Sequence, residues 1–176
     1  MQTGYTATAR ALHWIVALIV LGMIPAGKIM VEEGLPRGLQ DALFLFHKNA
    51  GVIVLVLMIV RLVWRWLNPP PPLPASVPEW QARAAHLTHV LLYALIFVMA
   101  VSGYVRVVAG GFPLELTDAL GLPRLLPKVE SLGNAASTVH YLAHYAVIAL
   151  IALHIGAALF HGIVRRDGVF GRMWRG

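Results

Sequence analysis

Four long apolar runs, free of acidic residues, constrain this chain more than any other feature. A helix needs about 20 predominantly apolar residues to cross the hydrocarbon of a bilayer. Such stretches lie at about residues 13–31, 43–67, 84–108 and 136–163. Lys28 interrupts the first, and Arg61 and Arg65 lie near one end of the second. Composition points the same way, since 59% of the 176 residues are hydrophobic and only 12% are charged, against about 25% charged in a soluble domain. A disordered chain is excluded, and no cleavable signal peptide opens the sequence. The absence of cysteine rules out disulfides, thiolate metal sites, Cys-ligated iron–sulfur clusters and thioether-linked haem. The expectation is an all-α integral membrane four-helix bundle, one membrane domain over residues 1–176.

The connections reinforce this reading. Six prolines between Asn68 and Pro78 cannot continue a helix and describe an extended linker. The segment from Gly110 to Gly133 is rich in glycine, proline and mixed charge, and its Leu114–Leu120 stretch suits a short amphipathic helix on the membrane surface. No internal repeat is visible. With alternating spans, one side collects eight of the Lys and Arg residues against two acids, and the other collects six against six. The net charge of +6 therefore sits on one face. The positive-inside rule places that face, and both termini, in the cytoplasm. The basic character is topology, and no nucleic-acid partner is expected.

Ionisable groups inside spans are costly and mark function by default. No carboxylate is available there, which argues against a proton pump or cation transporter, but histidine is abundant. His13 lies on the first span and His47 on the second. His86 and His89 are on the third, and His140, His144, His154 and His161 on the fourth. Singly, His86, His89 and His144 fit an interfacial role. The set does not. His140 and His154 stand 14 residues apart, about 21 Å along one helix and within about 40° of one face. His13 matches the depth of His154, and His47 that of His140. Two bis-histidine sites follow, one near each leaflet. A tetrahedral zinc site wants four clustered ligands, whereas a haem iron wants two axial ligands from facing helices. Gly51, one turn beyond His47, either leaves room for a porphyrin face or serves helix packing.

The His13-Trp14 pair, the Phe46-His47-Lys48-Asn49-Ala50-Gly51 helix start, the Val60-Arg61-Leu62 run to Pro70, the Ala85-His86-Leu87-Thr88-His89 segment and the His140/His154 pair resemble the bacterial cytochrome b561 family. The resemblance covers nearly the whole chain. It implies a bacterial inner-membrane four-helix bundle binding two haem b groups. His13 and His154 would ligate the cytoplasmic-side haem, and His47 and His140 the periplasmic-side haem. The likeness extends to a short di-haem branch that oxidises superoxide and reduces ubiquinone. Related b-type subunits that serve separate hydrogenases or dehydrogenases share the plan, so an electron-transfer anchor for a partner subunit is the alternative, and a histidine-lined metal transporter a remote one.

Further candidates attach to these readings. His161 is either an interfacial histidine beside the haem propionates or a hydrogen-bond donor to a membrane quinone, with Arg10 and Trp14 at the same level. Lys48, next to His47, is the candidate that steers superoxide, with Lys28, Arg106, Arg124 and Lys128 in the same-side segments. His86 and His89 are candidates for propionate contacts or a replacement ligand. Trp14, Trp64 and Trp66 read as interfacial anchors.

Overall fold

The computed structural model describes residues 4–174, and among these no strand occurs. Four long helices dominate: α1 (Ala7–Ile29), α2 (Arg37–Leu67), α3 (Glu79–Ala109) and α5 (Glu130–Leu159). A short α4 (Glu115–Ala119) lies between α3 and α5, and α5 runs on into a π-helical turn, Phe160–Arg165, before a final α6 (Gly171–Trp174). The four long helices are each long and apolar enough to span a bilayer.

Each long helix begins about one and a half turns before the apolar run that announced it. The reason is backbone chemistry: every amide must be paired before the chain enters hydrocarbon, so the helix is already wound through the polar interface. Thr6 caps α1 by accepting the Ala9 amide at 3.2 Å. Pro36 and Pro78 directly precede α2 and α3, where a missing N–H costs nothing because the first helical amides lack partners anyway. The proline-rich segment ends α2 as expected, and Pro25 is accommodated inside α1.

The packing is that of two helix pairs joined edge to edge. α1 lies on α2 and α3 lies on α5, while α2 against α3 links the pairs; no comparable contact joins α5 to α1 or α2. Val16, Val54 and Met58 form the buried centre, with Ile19, Met23, Tyr93 and Phe97 packed around it. Large apolar side chains such as Leu18, Val56, Leu142 and Leu153 point outward, as a surface bathed in lipid requires. Gly51 meets the Met23 methyl at ordinary contact, 3.6 Å from where a Cβ would sit. That contact is of the kind helix packing gives.

Two short elements close the ends. α4 falls within the expected Leu114–Leu120 stretch and is fastened to α2: Asn49 accepts the Leu116 amide at 2.9 Å, and Leu114 is buried. At the opposite end the chain turns back after Arg166, whose φ of 50° is left-handed, and α6 docks against the start of α1. Arg172 accepts the Tyr5 amide through its carbonyl at 3.2 Å, and the Trp14 indole donates to the Met173 carbonyl at 3.0 Å. The end carrying both chain termini is called the terminal end, and the end carrying α4 the loop end.

Candidate haem-binding site

At the loop end α2 brings His47 opposite His140 of α5, with ring centroids 6.2 Å apart and planes at 79°. His47 donates through Nδ1 to the Met23 carbonyl at 3.1 Å. His140 donates through Nδ1 to the Met99 carbonyl at 3.0 Å, with the Ser102 hydroxyl also 3.2 Å away. A carbonyl can only accept, so each ring holds its proton on Nδ1 and keeps the Nε2 lone pair for a metal.

Both rings reach their carbonyls over a glycine. A Cβ on Gly27 would lie 2.7 Å from His47 Cε1, and one on Gly103 would lie 3.2 Å from His140 Cε1. Gly27 follows Met23 by one turn of α1, and Gly103 follows Met99 by one turn of α3. The same device therefore operates on both sides of the slot. Sequence reading had no access to it, since a glycine in an apolar span announces close approach but not its partner.

At the terminal end His13 of α1 faces His154 of α5, again with centroids 6.2 Å apart and planes at 85°. His89 of α3 also contacts His154, at 5.4 Å. Two imidazoles across one iron, with metal–nitrogen bonds of about 2 Å and about 1.1 Å from nitrogen to ring centre, stand about 6.2 Å apart. Both facing pairs have that separation; the His89 contact is too short for it. Among the described residues no group of three or more His, Asp or Glu side chains is disposed to hold a bare metal ion. Donor chemistry and spacing thus fit a haem with two axial imidazoles.

The remaining histidines separate. His86 is exposed, and His144 bonds the Tyr141 carbonyl beside Tyr145 near the surface. His161 lies on the π-helical turn and donates from Nδ1 to Asp167 at 2.6 Å. Burial opposes ionisation of Asp167. The His161 hydrogen bond, the Val169 amide and the neighbouring Arg165 charge outweigh it and hold the carboxyl below its ordinary value. Trp14 packs edge-on against Trp174 at 5.4 Å and sits beside His13 at 5.2 Å. Arg10 turns to the Tyr5 carbonyl at 2.7 Å. Trp14 and Trp64, whose indole donates to Thr6 at 3.0 Å, are thus bound into the protein, and Trp66 is the exposed one.

Lys48 is placed differently from a free steering charge. Its ammonium pairs with Glu115 at 2.6 Å and donates to the Pro113 carbonyl at 2.8 Å, and only 14% of its side chain is exposed. Burial disfavours ionised Glu115, but Lys48 and Asn49 together bring its carboxyl below the usual range. Arg124 is likewise paired, with Asp118 at 3.3 Å. Arg106 has no ion pair among the described residues, and its charge acts on both His47 and His140.

Comparison with known proteins agrees with this architecture. The prokaryotic cytochrome b561 family matches residues 4–176. Cytochrome b561 homolog 2 of Escherichia coli is 31% identical over 96% of this chain and 90% of its own length. Cytochrome b561 homolog 1 of the same organism is 29% identical over 96% of both chains. A cytochrome b562 of Cereibacter sphaeroides is 28% identical over 99% of this chain and 97% of its own. The chain belongs to the prokaryotic cytochrome b561 family and is a multi-pass membrane protein of the haem b-binding, electron-transferring kind.

Proposed function

We propose that this protein is a di-haem superoxide:ubiquinone oxidoreductase of the bacterial inner membrane. The observation that carries the reading is the presence of two facing imidazole pairs, each 6.2 Å across, at opposite ends of the bundle. Haem b, bound between His13 and His154 and between His47 and His140, supplies one-electron transfer at each end. The charge asymmetry supports a cytoplasmic terminal end and a periplasmic loop end.

Two superoxide anions give up two electrons at the loop end and leave as two molecules of dioxygen. Arg106, with no ion pair among the described residues, attracts the anion there; Lys48 serves instead to dock α4. At the terminal end one quinone takes up the two electrons and two protons and becomes a quinol. His161 donates to the quinone oxygen and draws replacement protons from cytoplasmic water, with Asp167 fixing the ring by its hydrogen bond. Arg10 and Trp14 border the same end of α1, and the docked α6 closes it.

The test is reduction of the purified cytochrome by enzymatically generated superoxide in air-saturated buffer, followed by reoxidation with a short-chain ubiquinone. A His161→Ala variant retains both haems and its reduction by superoxide, yet is reoxidised at least tenfold more slowly. Loss of haem on that substitution would make His161 a ligand. Failure of superoxide to reduce the wild-type protein would instead favour an anchor subunit serving a separate dehydrogenase.

A further inference from the structure

Arg61 and Arg65 stand one turn apart on α2, and neither has an acidic partner among the described residues. The guanidinium carbons lie 5.6 and 5.8 Å from the centre of the same Tyr93 ring. Arg61 donates from Nε to the Tyr93 hydroxyl at 2.9 Å and from Nη1 to the Ala9 carbonyl at 3.4 Å. The two acids of the terminal end are engaged elsewhere: Glu79 with Arg83 at 2.5 Å, and Asp167 with His161 and Arg165. Like charges one turn apart destabilise a helix, and the cost rises where water is scarce. Such a pair calls for an anion that none of the described residues provides.

The surroundings indicate which anion. Arg61 reaches the Ala9 carbonyl, one turn before His13 on α1, and the Tyr93 ring that braces both guanidiniums lies one turn beyond His89 on α3. A small cleft of about 20 Å³ opens beside both guanidiniums, bordered also by Tyr5, Trp64, Asn68 and Tyr93. That is room for one small polar group. Guanidinium forks match carboxylates in geometry as well as in charge.

We propose that Arg61 and Arg65, braced on Tyr93, form a carboxylate clamp for one propionate of the haem held by His13 and His154. The proposal rests on the haem reading of that pair. It explains why two cations persist at this depth without a counter-ion among the described residues. It also gives the second helix, which supplies no imidazole at the terminal end, a share in holding the cofactor there.

The experiment loads full-length apo-protein with haem b or with its dimethyl ester, in wild type and in an Arg61→Gln/Arg65→Gln variant. Occupancy of the terminal end is read from its low-spin electron paramagnetic resonance signal; the loop-end signal reports that the variant has folded. In wild type the ester binds about tenfold more weakly than haem b, the effect of one charge-assisted hydrogen bond. In the double variant the difference falls below about twofold, since the ester has no clamp left to lose. An Arg61→Lys/Arg65→Lys variant, which keeps the charge, restores most of the discrimination. Independent, multiplicative effects of ester and variant overturn the proposal, as does loss of a co-purifying anionic phospholipid from the variant with that discrimination unchanged. A wild-type protein that takes up no haem at the terminal end would refute the underlying haem reading, before any variant is compared.

Discussion

Replacing Gly27 with Ala puts the loop-end site under a defined strain. The new Cβ would stand 2.7 Å from His47 Cε1 and 3.0 Å from its Nδ1. Carbon atoms rest at about 3.5–4.0 Å, so the ring must retreat by roughly 0.8 Å. The Nδ1 proton is shared with the Met23 carbonyl at 3.1 Å, and a retreat of that size carries the contact past about 3.5 Å, outside hydrogen-bonding range. An orphaned buried N–H costs about 1–3 kcal/mol, and losing a partner that orients a metal ligand lowers affinity about 10–100-fold. Gly103→Ala is the internal comparison. Its Cβ would lie 3.2 Å from His140 Cε1 and 3.4 Å from Nδ1, which a shift of a few tenths of an ångström relieves. Haem loss from each variant to excess apomyoglobin, followed by the decay of the loop-end low-spin signal, measures the effect. Gly27→Ala is expected to release that haem at least tenfold faster, Gly103→Ala less than about threefold faster. Gly51→Ala, with its Cβ at 3.6 Å from the Met23 methyl, changes nothing. Equal effects at Gly27 and Gly103, or intact haem retention in Gly27→Ala, would refute the argument from ring seating.

Ala at His47 or His140 removes the loop-end haem alone, and Ala at His13 or His154 the terminal-end haem alone, as read by pyridine haemochrome stoichiometry and low-spin spectra. Arg106→Gln slows reduction by superoxide several-fold and flattens its dependence on ionic strength, whereas Lys48→Gln/Glu115→Gln, which removes both members of the matched pair, stays within about twofold. The folded Asp167 carboxyl ionises below its value of about 3.9 in an unfolded chain, so its contribution to docking the C-terminal segment is complete above that pH. It fades as the pH falls through the lower, folded value. Protease sensitivity of that segment is therefore flat from neutral pH to about pH 5 and rises in stronger acid, while in Asp167→Asn it is raised at every pH.

The reach of the sequence is set by which interactions are local. Span number and the linker after α2 follow from hydropathy and proline, both written in consecutive residues. Pairing His140 with His47 and His154 with His13 needed only helical rise and the alternation of spans, and the structure brings both pairs together. What escaped are contacts whose partners lie on other helices. Lys48 reads as a free cation until α4 returns to cover it with Glu115, a residue 67 positions away. Trp14 reads as a lipid anchor until α6 folds over it. Seven residues after His154, α-helical arithmetic puts His161 on nearly the same face, but the helix rewinds as a π turn from Phe160 onward, and the partner that orients the ring, Asp167, lies beyond the span.

The two ends differ in a way that bears on their chemistry. The loop-end imidazoles are both tied to backbone carbonyls, through Met23 and Met99, on helices that form the bundle itself. An imidazole that donates to a carbonyl is a more basic ligand and favours the more highly charged state of its metal. At the terminal end, among the described residues, no such carbonyl bond is made by His13 or His154. By this effect the loop end has the lower potential of the two, and on the proposed function electrons given up there by superoxide would run downhill towards His161. Direction across the bundle would in this sense be carried by backbone acceptors, not by the four histidines, which are matched in spacing and alike in kind.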